Sequence, residues 1–138
     1  MTPKLDRPAV RELGAQLADA TGPDRKLDAA IEVALVPEAA RVFGNSGVVI
    51  SHDFGRGAAD YPAPRYTKSF DATLALVERL LPGWKWSAGY GCGEDGDDRR
   101  TVNLWDEKHW VQGKHDVDVI AFLLALIAAL IAQADGGE

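Results

Sequence analysis

Apolar residues recur at helical spacing in the first part of the chain. Val10, Leu13 and Leu17 stand at three- and four-residue steps behind Asp6 and Pro8, the pattern of an N-cap, a first-turn proline and one buried face. A first helix is expected from Arg7 to Ala20. Thr21-Gly22 closes it, and Pro23 and Asp24 suit the first turn of a second helix. On that second helix Leu27, Ala30, Ile31, Ala34 and Leu35 line one face. Pro37 is expected to kink it or to start a short continuation through Val42. Gly44-Asn45-Ser46-Gly47 reads as a turn and Val48-Val49-Ile50 as a short strand. From His52 to Arg65, two glycines and two prolines without periodicity read as a long surface loop.

The second half carries the clearer signals. Thr67 or Ser69 caps a helix whose face is Phe70, Leu74, Val77 and Leu81, and Pro82-Gly83 ends it. The period then changes to two. Trp84, Trp86, Ala88 and Tyr90 alternate with Lys85, Ser87 and Gly89, which predicts a strand with one aromatic, half-buried face packed on the helices. Thr101 to Trp105 gives a second strand with Val102 and Leu104 on one face, the two strands pairing as an antiparallel hairpin, and Trp110-Val111 adds a third. A last helix begins near Asp116, its stretch from Val119 to Ala132 free of polar residues. That stretch is short of the ~20 residues of a bilayer span, so no membrane helix is expected. A helix apolar on every side needs cover on every side, inside the domain or from a second copy. Phe122, Leu126 and Leu130 are the expected contact between copies in a homo-oligomer.

Three blocks, in this order, resemble the family of small phage and prophage proteins known as the phage alpha-beta-alpha sandwich domain. The first runs from Gly22-Pro23-Asp24-Arg25 through Lys26-Leu27-Asp28 to Ala29-Ala30-Ile31. The second is Tyr66-Thr67-Lys68-Ser69-Phe70-Asp71-Ala72, continued by Leu74-Ala75-Leu76-Val77 to Pro82-Gly83-Trp84-Lys85-Trp86. The third is the Ala/Leu-rich helix from Ala121 to Ala132. The likeness implies an α+β fold with a small antiparallel sheet of three or four strands packed between helices, an alpha-beta-alpha sandwich-like layering. It carries over no catalytic residue, since the family is largely without an assigned activity. Residues 1–21, a helical extension, the loop over 52–65 and the acidic hairpin tip look like additions to the family pattern.

Length and composition fit one domain over residues 1–138. With 46% hydrophobic and 26% charged residues the chain is of ordinary globular composition and can bury a core unaided. Cys92 is the single cysteine, and the N-terminal residues lack the pattern of a signal peptide, so a reducing compartment, the host cell cytosol, is expected. A net charge of −6 with a pI of about 5.0 argues against a broad phosphate-binding face. Direct nucleic-acid binding is not expected.

Candidate chemistry is sparse. Gly89-Tyr90-Gly91-Cys92-Gly93 lacks the strand-before, helix-after setting of a phosphate loop. Glu94, Asp95, Asp97 and Asp98 miss the calcium-loop spacing, and a thiol beside four carboxylates stays protonated. His52-Asp53, His109 and His115-Asp116 with Asp118 show no metal-ligand spacing. No metal and no cofactor are expected. The tryptophans stand out as binding groups, because Trp and Tyr dominate interface hot spots. Trp105 and Trp110 with Arg99, Arg100 and Lys108, together with His52, form the candidate binding set. Rings beside cations can stack on and charge-pair with a nucleotide or a partner protein. Trp105 is expected to turn away from Val102 and Leu104 only if the strand register slips.

These observations favour a non-enzymatic phage accessory binding protein acting in counter-defence, by occupying a host immune protein or sequestering a small nucleotide signal. The alternatives are a structural or packaging accessory of the virion and a small hydrolase working through His52 or Asp53.

Overall fold

The computed structural model describes residues 7–35, 39–44, 47–53, 58–62, 64–90 and 100–136; over 39–62, at Tyr90 and at 135–136 it describes the backbone alone. Helix α1 spans Arg7–Asp19 and α2 Arg25–Leu35, followed by strands β1 Ala39–Gly44, β2 Gly47–Asp53 and β3 Ala58–Pro62. Helix α3 is Phe70–Leu80. Strands β4 Lys85–Tyr90, β5 Arg100–Trp105 and β6 Trp110–His115 precede α4, Asp118–Gly136. Two three-stranded antiparallel sheets result, β1-β2-β3 and β4-β5-β6. The class is α+β, with antiparallel sheet packed against helices, as expected.

Each helix boundary has a local cause. Asp24 caps α2 by accepting from the Lys26 and Leu27 amides at 2.9 and 3.2 Å. Ser69, rather than Thr67, caps α3, its Oγ accepting from Ala72 N at 3.1 Å. Past α3, the Trp84 amide donates to the Leu81 carbonyl across Pro82-Gly83, and Gly83 has φ +85°. That is a type II turn, in which proline fits the second position and glycine the left-handed third. At the start of α4, His115 Nδ1 accepts from Val117 N at 2.9 Å. Its far end is met by Arg7, whose Nη2 donates to the Ala134 carbonyl at 3.0 Å.

Two expectations for the middle of the chain are corrected. Residues 39–42, expected within a kinked helix or a short continuation through Val42, belong instead to strand β1, which runs on to Gly44. Its ladder to β2 runs from Ala39↔His52 to Gly44↔Gly47, so cross-strand hydrogen bonds take the place of the helical bond that Pro37 cannot make. Within the expected loop over 52–65, His52 and Asp53 end β2 and residues 58–62 form β3, paired from Asp53↔Ala58 to Val49↔Pro62. As an edge strand, β3 tolerates its terminal proline. Residues 7–19, within the stretch that looks like an addition to the family pattern, form α1. Val10, Leu13 and Leu17 of α1 are buried, and α1 packs on both α2 and α4.

Helix α4 is the centre of the core. It lies on β5 and β6 and against α1 and α3, while α2 lies on β1 and β2. Val119 to Leu123, Ala125 to Ile127 and Ala129 are all buried, each large side chain contributing about 1.5–3 kcal/mol. The contact with β6 is close at Gly113. A Cβ placed there would stand 2.1 Å from the Ala121 carbonyl oxygen and 2.6 Å from the Ala125 nitrogen. Helix backbone thus rests directly on strand backbone. This cover corrects the expected contact between copies. Phe122 and Leu126 have 0% exposure within one chain, so they are core, and only Leu130 keeps some exposed surface. Among the described residues no helix is long and apolar enough to cross a membrane.

Candidate binding face

Register decides which side chains of the second sheet face outward. Trp86 pairs with Leu104 and Leu104 with Val111, while Lys85 pairs with Trp105 and Trp105 with Trp110. Cross-strand partners share a face and successive residues alternate. Trp86, Leu104 and Val111 therefore point toward α4, and Lys85, Trp105 and Trp110 point away from it. Trp105 turns from Leu104 with the register intact, because the two are adjacent in one strand.

Two rows of the outer face are open. The first is Lys85–Trp105–Trp110, with Lys85 exposed, Trp105 half-buried and Trp110 61% exposed. Ser87–Asn103–Gln112 is the second, tied together by hydrogen bonds. Gln112 Nε2 donates to Asn103 Oδ1 at 3.0 Å, and Asn103 Nδ2 to Ser87 Oγ at 3.3 Å. These bonds fix the amide orientations and stiffen the middle of the face. In the next row Thr101 is buried, which ends the open area. No carboxylate-bearing residue occupies an outer-face position of these three strands.

The turn joining the two tryptophans is built on Asp106. Its Oδ1 accepts from the Lys108 and His109 amides at 2.9 and 2.7 Å, and the Asp106 amide donates to the His109 carbonyl at 2.9 Å. Desolvation pushes the Asp106 carboxyl up, but those amides and the nearby imidazole together outweigh it and hold the group below its ordinary 3.8. The His109 ring stacks on Trp84, with centroids 5.9 Å apart and planes 9° apart. Its Nδ1 lies 3.3 Å from Asp106 Oδ1 without hydrogen-bond alignment. Trp110 is thus presented next to a rigid hairpin end.

Of the candidate binding set, Trp105, Trp110 and Lys108 come together, the lysine lying exposed in the turn between the tryptophans. Arg100 does not join them. It pairs with His115 at the other end of β5 and belongs to the face of Leu104, about 17 Å along the strand from Trp105. His52 lies in β2, in the other sheet. Arg99, Cys92, the glycine run from Gly91 to Gly93 and the acidic residues Glu94 to Asp98 lie outside the described residues, as does Asp6. Trp86 was expected on a half-buried aromatic face packed on the helices. It packs on Phe70 of α3 and Phe122 of α4 at 5.5 and 5.3 Å and is 39% exposed, because β4 is an edge strand and its outer side has no neighbouring strand. Among the described residues no group of three or more His, Cys, Asp or Glu could hold a metal ion.

The most extensive buried polar group was not singled out from the sequence. Asp28, buried on α2, accepts from Thr67 N and Thr67 Oγ1, both at 2.7 Å, through one carboxylate oxygen, and its other oxygen meets Arg25 Nη1 at 2.8 Å. Thr67 Oγ1 in turn accepts from Asp24 N at 2.8 Å. One turn along α2, Glu32 accepts from the Tyr66 hydroxyl at 2.5 Å, and Thr73 Oγ1 donates to the Tyr66 carbonyl at 2.9 Å. Asp28 and Glu32, four residues apart on an apolar helical face, were the available signal. Their hydrogen bonds lock the segment before α3 onto α2, which makes them structural groups. No family model, curated protein or solved structure matches the chain.

Proposed function

We propose that the protein is a non-enzymatic binding protein whose recognition surface is the outer face of β4-β5-β6, led by Trp105 and Trp110. The observation carrying this reading is the pair of tryptophans held side by side and directed away from the core. A large indole left in water, beside a second one, is costly unless it is used, and such residues concentrate binding energy. Lys85 lies in the open rows without a carboxylate among their residues, in a chain of net charge −6, which favours a partner of small negative charge. The likeness of the three sequence blocks to small phage proteins supports an accessory role in the host cytosol, in counter-defence against a host immune protein or a nucleotide signal.

The test is native mass spectrometry of the protein purified from a defence-competent host, alongside Trp110→Ala and Trp105→Ala. A retained species that is lost in both variants, while their circular dichroism is unchanged, supports the reading. Retention of the same species by both variants overturns it.

A further inference from the structure

The size and charge of the open face define what fits it. With strands ~4.8 Å apart and same-face residues ~6.8 Å apart, the two open rows cover about 200 Å². A stable protein interface takes ~800 Å² from each partner and has an apolar centre. Here the middle row is Ser87, Asn103 and Gln112, and among the described residues of these rows the two indoles are the only large apolar groups. The described rows are too small and too polar to carry a protein interface by themselves. The two open rows hold one cation, Lys85, and no carboxylate position, with Lys114 one row further on the same face, so the face is matched to a ligand of low negative charge. Paired residues of antiparallel strands lie about 5 Å apart, which sets two indoles side by side.

We propose that this face takes a dinucleotide, with one base on each of Trp105 and Trp110 and the single linking phosphodiester served by Lys85. This deepens the binding reading above and rests on it. Each base offers a π-face to an indole, a contact tolerant of base identity. The Asn103 and Gln112 amides, oriented by their mutual hydrogen bond, are placed to meet base edges. Longer strands gain little. The row beyond Asn103 is closed by buried Thr101, and at the other end the chain meets Asp106 and Glu107 of the turn.

The experiment is a titration of the whole protein with the dinucleoside monophosphates TpT and ApA, followed by the indole N–H resonances of its four tryptophans. Signals of Trp105 and Trp110 are expected to move while those of Trp84 and Trp86 stay. Trp110→Ala weakens binding by roughly five- to a hundredfold, and Trp110→Phe restores most of it. One phosphate contact gives a slope of log K against log salt of about −0.7, and Lys85→Gln removes it. Absence of shifts, movement of Trp84 and Trp86 alone, or a twenty-residue oligothymidylate that binds far tighter with a steep salt slope overturns the dinucleotide. If dinucleotides fail but Trp110→Ala still strips the co-purifying species, this inference falls and the binding reading stands.

Discussion

Of Gly14, Gly22, Gly83 and Gly113, Gly113 is where an added carbon meets its neighbours most closely. A methyl group there would stand 2.1 Å from the Ala121 carbonyl oxygen and 2.6 Å from the Ala125 nitrogen. Both neighbours are backbone atoms, so no rotamer change can clear them. Reaching even 3.0 Å requires α4 to retreat from β6 by about 0.9 Å (3.0 − 2.1). A gap of ~0.5–1 Å forfeits a quarter to a half of each contact's attraction, and α4 makes such contacts along its length with β5 and β6. Over-packing commonly costs ~1–3 kcal/mol. With backbone on both sides, Gly113→Ala is expected at or above ~3 kcal/mol. Alanine's reduction of unfolded-chain entropy offsets only about 0.4–1 kcal/mol of that. Urea denaturation followed by far-UV circular dichroism measures the difference. A variant within ~1 kcal/mol of the parent would mean that α4 does not rest on β6 at this point, and the packing argument would fail.

Four further outcomes follow from the structure. Asp28→Ala leaves the Thr67 amide without its acceptor and the Thr67 hydroxyl with only the Asp24 carbonyl at 3.3 Å and should cost about 2–5 kcal/mol; Thr67→Val should cost less, and the double variant much less than the sum of the two, readable by thermal melts of all three. Leu126→Asp should unfold the chain rather than dissociate a dimer, since Leu126 is wholly buried within one copy; a folded monomer by circular dichroism and sedimentation would refute this. Asp106 has its folded pKa lowered, so its stabilising effect is complete above about 3.8 and is lost as pH falls through the lower folded value. The melting-temperature gap between the parent and Asp106→Asn should therefore be constant near neutrality and close in acid. Trp110→Ala, at 61% exposure, should change stability by less than ~0.5 kcal/mol, and a larger loss would show that the ring is a packing element.

Hydrophobic spacing was enough to specify α1, α2, α3, the hairpin of β4 and β5 and the length of α4, because each has a regular period and a local end signal such as Asp24, Ser69 or Pro82-Gly83. Trp105 and Trp110 were singled out as aromatics beside cations, and the strand pairing, not the sequence, showed that Trp105 turns outward with the register intact. Strands β1 and β3 were not legible. Their stability comes from ladders to β2, whose register depends on which segments meet in space, and their own sequences contain proline, glycine and alanine that read equally as helix end or loop. The pairing of Asp28 with Thr67 was hidden for the same reason, as 39 residues separate two groups that satisfy each other only after α2 and the segment before α3 come together. Whether α4 is covered by its own chain or by a second copy was also beyond the sequence. An all-apolar helix states that it must be covered, but the covering surfaces of β5, β6, α1 and α3 exist only once the chain has folded around it.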